Sequence, residues 1–556
     1  MFQKKTLSIG LFLLVSIFYM SLFSVPNIGG QSGIVTPSNL GVYIGLTGFL
    51  FWMVFYSISS GRVLFSRLPA IFLLCVLLLL LVGSFKTTDW IEFKYQALAM
   101  LFGLSFVIGL LQIEWKQNHW FWFFYALCIL GFMQGLIALD QRFDRFGVLY
   151  VFTEYYPLII KSSGYLGSLQ QKNMFASFIA FTEVLSLFLV SQKRFSSLSV
   201  WLKIPIYLFV AMGAFLVINS GSRSGLLGLI LGLIFVVWAI RDQLVKESKD
   251  IWIWLFVAIF GVVIGLIVPV LGSSVNDKFA NVVFGTDVRW FLYQTGWSIF
   301  QDNIWFGIGI GNYPKVFQEY VSVHNLWHDP RIVGFDIYRV THPHNELLFW
   351  FIQTGLVGML GVVLSFLGLL VNWYRQGGKH LLIQFGLLSP LVVQALVSYP
   401  FSLSATHYLL TLFLLFYGTH LKTYKFSFNL YGAVKVVIVM GALVLVLIFW
   451  RYGYQSAWSA FEVYYFKNRL FFYKQFPEQE KVGYFQYASG NELYLDLVRD
   501  NMQNLFHNAV RDSNYYDLRQ YLLWYRQQDE VPEDYKNYAS QAEYLLKNSD
   551  KQRLSE

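Results

Sequence analysis

The sequence predicts an all-α polytopic membrane protein with about 13 transmembrane helices. Of its 556 residues, 56% are hydrophobic and only 13% are charged, about half the charged share of a soluble protein. Apolar runs long enough to cross a bilayer recur along most of the chain. Lys and Arg collect in every second loop between these runs. A chain of this kind buries its apolar surface in lipid rather than in one large core.

The apolar runs set the positions of the predicted helices. They cover residues 6–24, 41–59, 69–85, 96–113, 119–138, 170–190, 203–219, 224–240, 251–271, 345–371, 381–399, 404–420 and 432–450. Each is close to the roughly 17–25 residues that one crossing needs. The first run lacks a small-residue cleavage site and many spans follow it, so we interpret it as an anchor rather than a signal peptide.

The basic residues predict the orientation. Lys4 and Lys5 precede the first run, whereas the loop 25–40 contains no Lys or Arg. Every second loop after that is basic, through Arg62, Arg67, Lys116, Lys193, Arg194, Arg241, Lys246, Lys249, Arg375, Lys379, Lys422 and Lys425. This positive-inside pattern places the N-terminus in the cytoplasm. It also explains the net charge of +9 without nucleic acid, because the basic residues do not gather on one face.

The same orientation divides the chain into four parts. Residues 1–271 carry the first nine helices, and 272–343 form a large external loop. Residues 344–450 carry the last four helices, and 451–556 form a small helical domain on the outside.

Three polar clusters stand at the outer membrane edge. They are the segments 167–173 (GSLQQKN), 219–225 (NSGSRSG) and 341–346 (THPHNE). Polar and ionisable residues at membrane depth are costly and usually face a cavity or a pathway. These clusters are therefore the candidate functional residues.

Arg223 allows two interpretations. It lies in a very short turn near the headgroup plane, where an arginine can extend towards lipid phosphates. Alternatively, the flanking Gly and Ser residues expose backbone N–H groups beside the guanidinium, which favours a fixed phosphate site. Arg289 is a second candidate of the same kind, or an ordinary solvated arginine of the large loop.

His342 and His344 flank Pro343 at the entry to the tenth span, where proline is tolerated. An imidazole exchanges a proton near neutral pH, as the activation of a hydroxyl requires. The alternative is a helix-entry histidine that serves structure alone. His324 and His328 lie in the same loop, but without cysteines or a tight carboxylate set they are weak evidence for a metal.

These motifs resemble a known family. The stretch from Arg289 through 307–313 (GIGIGNY) to 342–348 (HPHNELL) is similar to the shared core of O-antigen ligases, O-antigen polymerases and bacterial protein O-oligosaccharyltransferases. Within that superfamily the last group, the PglL type, fits best. The segment 167–173 resembles its Gln-x-Asn signature, and 398–407 (SYPFSLSATH) resembles its Glu-Tyr-Pro segment.

The resemblance implies a GT-C-like glycosyltransferase of the bacterial inner membrane with a periplasmic C-terminal domain. Such an enzyme transfers an oligosaccharide from undecaprenyl pyrophosphate to Ser or Thr of a periplasmic protein such as a type IV pilin, without metal or cofactor. By motif position, the resemblance assigns catalysis to His344 and pyrophosphate binding to Arg223 and Arg289. It assigns substrate binding to Gln171, Tyr399, Asn345 and His342.

The sequence departs from the family pattern at two positions. Ser398 stands where an acid often precedes Tyr-Pro, and Gln353 stands where the wider family often has glutamate. These departures bear on the acceptor contacts more than on the donor site.

Two alternative functions remain. An O-antigen ligase or polymerase would use lipid A core or another lipid-linked glycan as acceptor. A transporter or flippase for lipid-linked sugar would also place polar residues among many spans, although two related halves are not evident in this sequence.

Overall fold

The computed structural model describes residues 2–23, 37–143, 165–245, 249–268, 288–324, 326, 329–332, 340–419, 422–465, 506, 522, 525, 536–544 and 546. Eleven of its helices are long and apolar enough to cross a membrane. Two shorter apolar helices, Thr6–Leu22 and Ala405–Tyr417, coincide with two further predicted spans. The predicted fold class, an all-α polytopic membrane protein, is confirmed.

The helices follow the apolar runs closely. They are α1 (Phe2–Tyr19), α2 (Leu40–Ser60), α3 (Arg67–Ser84), α4 (Trp90–Gln112), α5 (Gln117–Phe143), α6 (Lys172–Val190), α7 (Lys193–Ser196), α8 (Val200–Asn219), α9 (Arg223–Val245), α10 (Lys249–Ile267), α11 (Val288–Asp302), α12 (Tyr313–Val323), α13 (Glu346–Arg375), α14 (Gly378–Val397), α15 (Pro400–Leu403), α16 (Ala405–Tyr417) and α17 (Gly432–Tyr465). Strands β1 (Arg62–Phe65) and β2 (Tyr424–Ser427) pair antiparallel. This short ribbon was not predicted from the sequence, and it joins the loop after α2 to the loop before α17.

Helix α6 is the centre of the bundle, because every residue from 174 to 190 is buried. Glycines let α9 approach it closely. A Cβ added to Gly225 would lie 2.7 Å from the Cβ of Ala176, and one added to Gly232 would lie 2.6 Å from a methyl of Val184. Small residues at contacts are typical of membrane helix pairs. Since both contacts advance in the same chain direction, α6 and α9 run parallel.

Helix α14 packs on the other side of α9 in the opposite direction. A Cβ added to Gly228 would lie 2.6 Å from the Cα of Pro390, and further along α9 one added to Gly232 would lie 2.9 Å from the carbonyl oxygen of Gly386. The starts of α6 and α9 therefore lie at the same end of the bundle as the end of α14. We call this the site end.

Helix α13 is broken at Gly355, which has φ 63° and ψ −168°. The break frees the carbonyl oxygens of Ile352 and Gln353. They accept hydrogen bonds from the backbone N–H groups of Ile308 and Gly309, at 2.9 and 3.0 Å. The Gly-rich segment before α12 thus satisfies the backbone groups that the break exposes, as a membrane helix requires.

Helix α11 runs beside the first half of α13 in the same direction. Near its start, the Tyr293 hydroxyl contacts the His344 carbonyl oxygen at 3.3 Å. Just beyond its end, the carbonyl oxygen of Ile304 accepts from the N–H of Leu356 at 2.8 Å. The described part of the predicted loop 272–343 is therefore packed against the bundle.

Several predictions fall outside the described residues. They concern His328, most of the loop 139–168 and most of the tail 451–556. In the tail, α17 continues to Tyr465 and residues 536–544 are helical. The division of the chain into four parts stays a prediction.

Candidate active site

The two histidines of the 341–346 segment are held together just before α13. The His344 backbone N–H donates to Nδ1 of His342 at 3.1 Å, and the ring centroids are 4.2 Å apart. Only a ring without a proton on Nδ1 can accept this bond. Burial, and to a smaller degree the neighbouring His344, hold the pKa of His342 well below its usual value. Geometry and electrostatics therefore agree on a neutral His342.

The backbone is strained at two of the predicted motifs. Among the residues that the structure describes, two non-glycine residues have left-handed φ angles, Gln170 at 58° and His344 at 56°. Residues held in this region concentrate at functional sites. One stands beside Gln171 and the other is the predicted catalytic histidine.

Tyr399 lies against the histidine pair. Its ring centroid is 3.3 Å from that of His342 and 6.3 Å from that of His344. The structure thus brings together three predicted site residues that are 57 positions apart or less in the chain.

Glu346 fixes the segment that carries Tyr399. Its carboxylate accepts from the Phe401 N–H at 3.0 Å, from the Ser402 hydroxyl at 2.8 Å and from Trp350 Nε1 at 3.1 Å. Only 4% of the residue is exposed. In the sequence, Glu346 belongs to a predicted polar cluster and has no predicted role. The sequence feature that could have pointed to such a role is an acidic residue at the membrane edge. Its partners Phe401 and Ser402 lie some 55 residues later, and the sequence does not show that they are close.

Asn345 connects α13 to α14. Its Oδ1 accepts from the Leu348 N–H at 2.9 Å as a helix cap. Its Nδ2 donates to the Leu396 carbonyl oxygen at 3.0 Å. Both ends of the amide therefore have protein partners, which is the arrangement of a residue that positions the helix entry.

Arg289 lies one helical turn before Tyr293 on α11. Residues four apart share a helix face, and Tyr293 is the residue whose hydroxyl meets the His344 carbonyl oxygen. Arg289 therefore stands at the start of α11, on the face directed to the histidine pair.

Arg223 begins α9, after a turn in which Gly221 has φ 64°. The next residue, Ser224, donates its hydroxyl to Oε1 of Gln394 in α14 at 2.6 Å. Gln394 lies two residues before Leu396, which accepts from Asn345. A short chain of contacts across α14 thus connects the start of α9 to the entry of α13.

Two side-chain amide atoms at the site end lack hydrogen-bond partners among the described residues. They are Oε1 of Gln171, just before α6, and Nε2 of Gln394. Buried polar atoms normally have a partner in protein, water or ligand. No described contact joins Gln171 directly to His344.

The predicted site residues therefore fall into two groups. His342, His344, Asn345 and Tyr399 form one cluster, with Arg289 one helical turn from a residue that touches it. Arg223 and Gln171 lie at the same end of the bundle, on the starts of α9 and α6. Within the described ranges no three His, Cys, Asp or Glu side chains are grouped to hold a metal ion.

Comparison with known proteins adds two matches. Residues 207–363 match the model of the Wzy_C family, described as O-antigen ligase. That region contains Arg223, Arg289, His342 and His344 and ends before Tyr399.

A curated relative is the teichuronic acid biosynthesis protein TuaE of Bacillus subtilis (strain 168). It is 21% identical over 347 residues, which are 56% of this chain and 67% of the relative. The matched domain and this distant relative support the O-antigen ligase superfamily for the chain, without singling out the protein O-oligosaccharyltransferases within it.

Proposed function

We propose that this protein transfers an oligosaccharide from undecaprenyl pyrophosphate to Ser or Thr hydroxyls of periplasmic proteins, at the outer face of the bacterial inner membrane. The superfamily matches support the coarser part, a transferase that acts on lipid-linked glycans. One observation carries the proposal. The histidine pair, Arg223 at the start of α9 and Arg289 at the start of α11 all lie at the same end of the bundle.

The reaction has to activate a weak nucleophile. In the proposal, His344 accepts the proton of the acceptor hydroxyl while the hydroxyl oxygen bonds to the anomeric carbon of the sugar. General-base help of this kind contributes about 10²–10⁴-fold. His342 and Asn345 hold His344 in place, through the bond to Nδ1 and the cap of α13.

The reaction also has to stabilise the leaving group. As the bond from the anomeric carbon to oxygen breaks, its electron pair goes to the lipid pyrophosphate. Arg223 and Arg289 lie in the first turns of α9 and α11, where the guanidinium and the positive end of the helix dipole both favour an anion. Such fixed positive charge is typically the largest catalytic term.

Direct displacement inverts the configuration at the anomeric carbon. A product with retained configuration would contradict the single displacement and the role of His344 as base.

The acceptor is tested with purified protein and a synthetic lipid-pyrophosphate oligosaccharide. Three acceptors are offered separately: a pilin-like Ser/Thr peptide, lipid A core, and a second lipid-linked glycan. The proposal expects glycopeptide as the main product by mass spectrometry. Transfer to lipid A core or to the second glycan, with none to peptide, would overturn the protein acceptor but keep the lipid-linked glycan transferase.

One observation favours the second candidate, a ligase or polymerase with a glycan acceptor. The relative from Bacillus subtilis is by its name a protein of teichuronic acid biosynthesis. If this chain shares that type of acceptor, a deletion strain loses a cell-surface glycan and keeps its glycoproteins. Mass spectrometry of periplasmic and secreted proteins with and without the chain separates the two candidates.

A further inference from the structure

A cavity of about 600 Å³ opens at the end of the bundle opposite the site. It lies between the start of α5, the end of α6, the end of α9 and the end of α16. Gln243, on its wall, is 20 residues after Arg223 on the same helix. At 1.5 Å per residue this is about 30 Å, the thickness of a bilayer core.

The residues that line the cavity are of two kinds, aromatic on one side and basic or polar at the mouth. One side is aromatic, with Trp120, Phe124, Phe188 and Tyr417. The ring of Tyr417 packs against Trp120 and Phe124, with centroids 4.8 Å away in both cases. This side can cover a hydrocarbon chain.

The mouth of the cavity is basic and polar. Lys193 and Arg194 line it together with Gln192 and Gln243. The Arg194 guanidinium lies 5.4 Å from the ring centroid of Phe121, which holds it against the wall by a cation–π contact. Oε1 of Gln243 is buried and has no hydrogen-bond partner among the described residues. An amide can turn its N–H₂ to an anion, since its two ends are interchangeable by rotation.

We propose that this cavity binds an anionic membrane phospholipid. Its phosphate lies beside Lys193 and Arg194, and one acyl chain follows the aromatic wall of Phe124, Phe188 and Tyr417. Basic pockets between membrane helices suit phosphate headgroups, and a zwitterionic lipid offers no net charge to this pair. The site is separate from glycan transfer and does not depend on that function.

Native mass spectrometry of the full-length protein tests the proposal. The protein is delipidated in neutral detergent and titrated with phosphatidylglycerol or phosphatidylcholine. We expect selective retention of phosphatidylglycerol, and about 30-fold weaker retention in a K193A/R194A variant, a factor of about five for each basic residue. The matched control is R375A/K379A, which removes two exposed basic residues from the same end of the bundle outside the cavity. It should retain the lipid as the wild type does.

A competition between ligands is measured on the wild-type protein alone, so its result does not depend on whether the double variant folds. Dodecyl phosphate should displace phosphatidylglycerol, whereas inorganic phosphate at the same concentration should not. Equal retention of the two lipids, or equal loss in both double variants, would overturn the proposal. Displacement by inorganic phosphate as effective as by dodecyl phosphate would also overturn it, since the site would then bind free phosphate.

Discussion

His342 and His344 are two residues apart, yet their surroundings differ. His342 is 7% exposed and its Nδ1 accepts a backbone hydrogen bond, so a proton there would cost both burial and a bond. The next histidine has its backbone strained and its carbonyl oxygen in contact with Tyr293. The pair therefore combines a neutral His342, held by its backbone contact, with the strained His344 to which we assign the proton transfer.

The neutral state of His342 predicts a pH dependence of stability. In the unfolded chain this histidine titrates near its usual value of about 6.5, whereas its folded pKa is well below that. Below about pH 6.5 the unfolded state binds more protons, so stability falls as the pH is lowered and levels off above it. We expect the unfolding temperature of wild type to drop from pH 7.5 to pH 5.5 more steeply than that of H342N, whose amide oxygen can replace Nδ1 as acceptor. Equal slopes in thermal unfolding scans would contradict the neutral His342.

The hydrogen bonds of Glu346 predict that two substitutions at this position differ in the severity of their effects. Removing the carboxylate in E346A leaves three donors without their acceptor, at about 1–3 kcal/mol for each buried group. E346Q keeps one acceptor oxygen and fills the same space. We expect the transfer rate and the unfolding temperature to fall further in E346A than in E346Q. If E346A matches wild type in both assays, Glu346 does not position the Tyr399 segment.

Among the elements, the break in helix α13 fixes the position of the described part of the large loop. A straight helix would keep the Ile352 and Gln353 carbonyl oxygens for itself. The break at Gly355 offers them to the Gly-rich segment instead, and this anchors α11 beside the helix entry. The position of Arg289 therefore depends on a backbone irregularity two to three turns away from His344.

That dependence is tested at Gly355. Its φ and ψ lie in a region that only glycine adopts readily, and an added Cβ would overlap the Trp305 carbonyl. We expect G355A to lose more than about 2 kcal/mol of stability and to lose transfer activity. Gly368 in the same helix has nothing within 4 Å of an added Cβ, so G368A should stay within about 1 kcal/mol of wild type. The comparison is made by thermal unfolding in detergent, and equal behaviour of the two variants would contradict the role of the break.

The sequence was informative about elements and less so about contacts. Apolar runs predicted the 11 candidate spans and the two shorter apolar helices found among the described residues, because the bilayer fixes both length and composition. The polar clusters also identified the His-Pro-His entry and the start of α9, since polar residues at membrane depth are conspicuous. The break at Gly355, the β ribbon and the bonds of Glu346 to the segment after Tyr399 were not predicted. Each of these features depends on packing between distant parts of the chain. Neither hydrophobic periodicity nor composition indicates which distant parts are in contact.

For the whole molecule, the two ends of the bundle have different chemistry. The starts of α6, α9 and α13 gather the candidate active site at one end. The opposite end carries the basic loops, among them Lys193, Arg194 and Lys379. If the basic end faces the cytoplasm, the active site faces the periplasm, where a lipid-linked donor would meet its acceptor.

Cysteine labelling tests this orientation. The two natural cysteines, Cys75 and Cys128, are free and buried, so they give a low background. Lys172 at the site end and Lys379 at the basic end are both exposed. We expect a membrane-impermeant maleimide to label K172C in intact spheroplasts and K379C only after permeabilisation. The reverse pattern would place the active site in the cytoplasm.

The initial rate of glycan transfer from a synthetic lipid-pyrophosphate donor by purified variants tests the roles of His344, Arg223 and Arg289. We expect a loss of about 10²–10⁴-fold for H344A and of about 10²–10³-fold for R223A and R289A. There are two matched controls, and both should keep the wild-type rate. H324A removes a ring that packs against Tyr320 in α12, and R241A removes a charge at the basic end. Wild-type transfer by H344A, R223A and R289A would contradict the claim that an imidazole and two guanidinium groups act together at one end of the bundle.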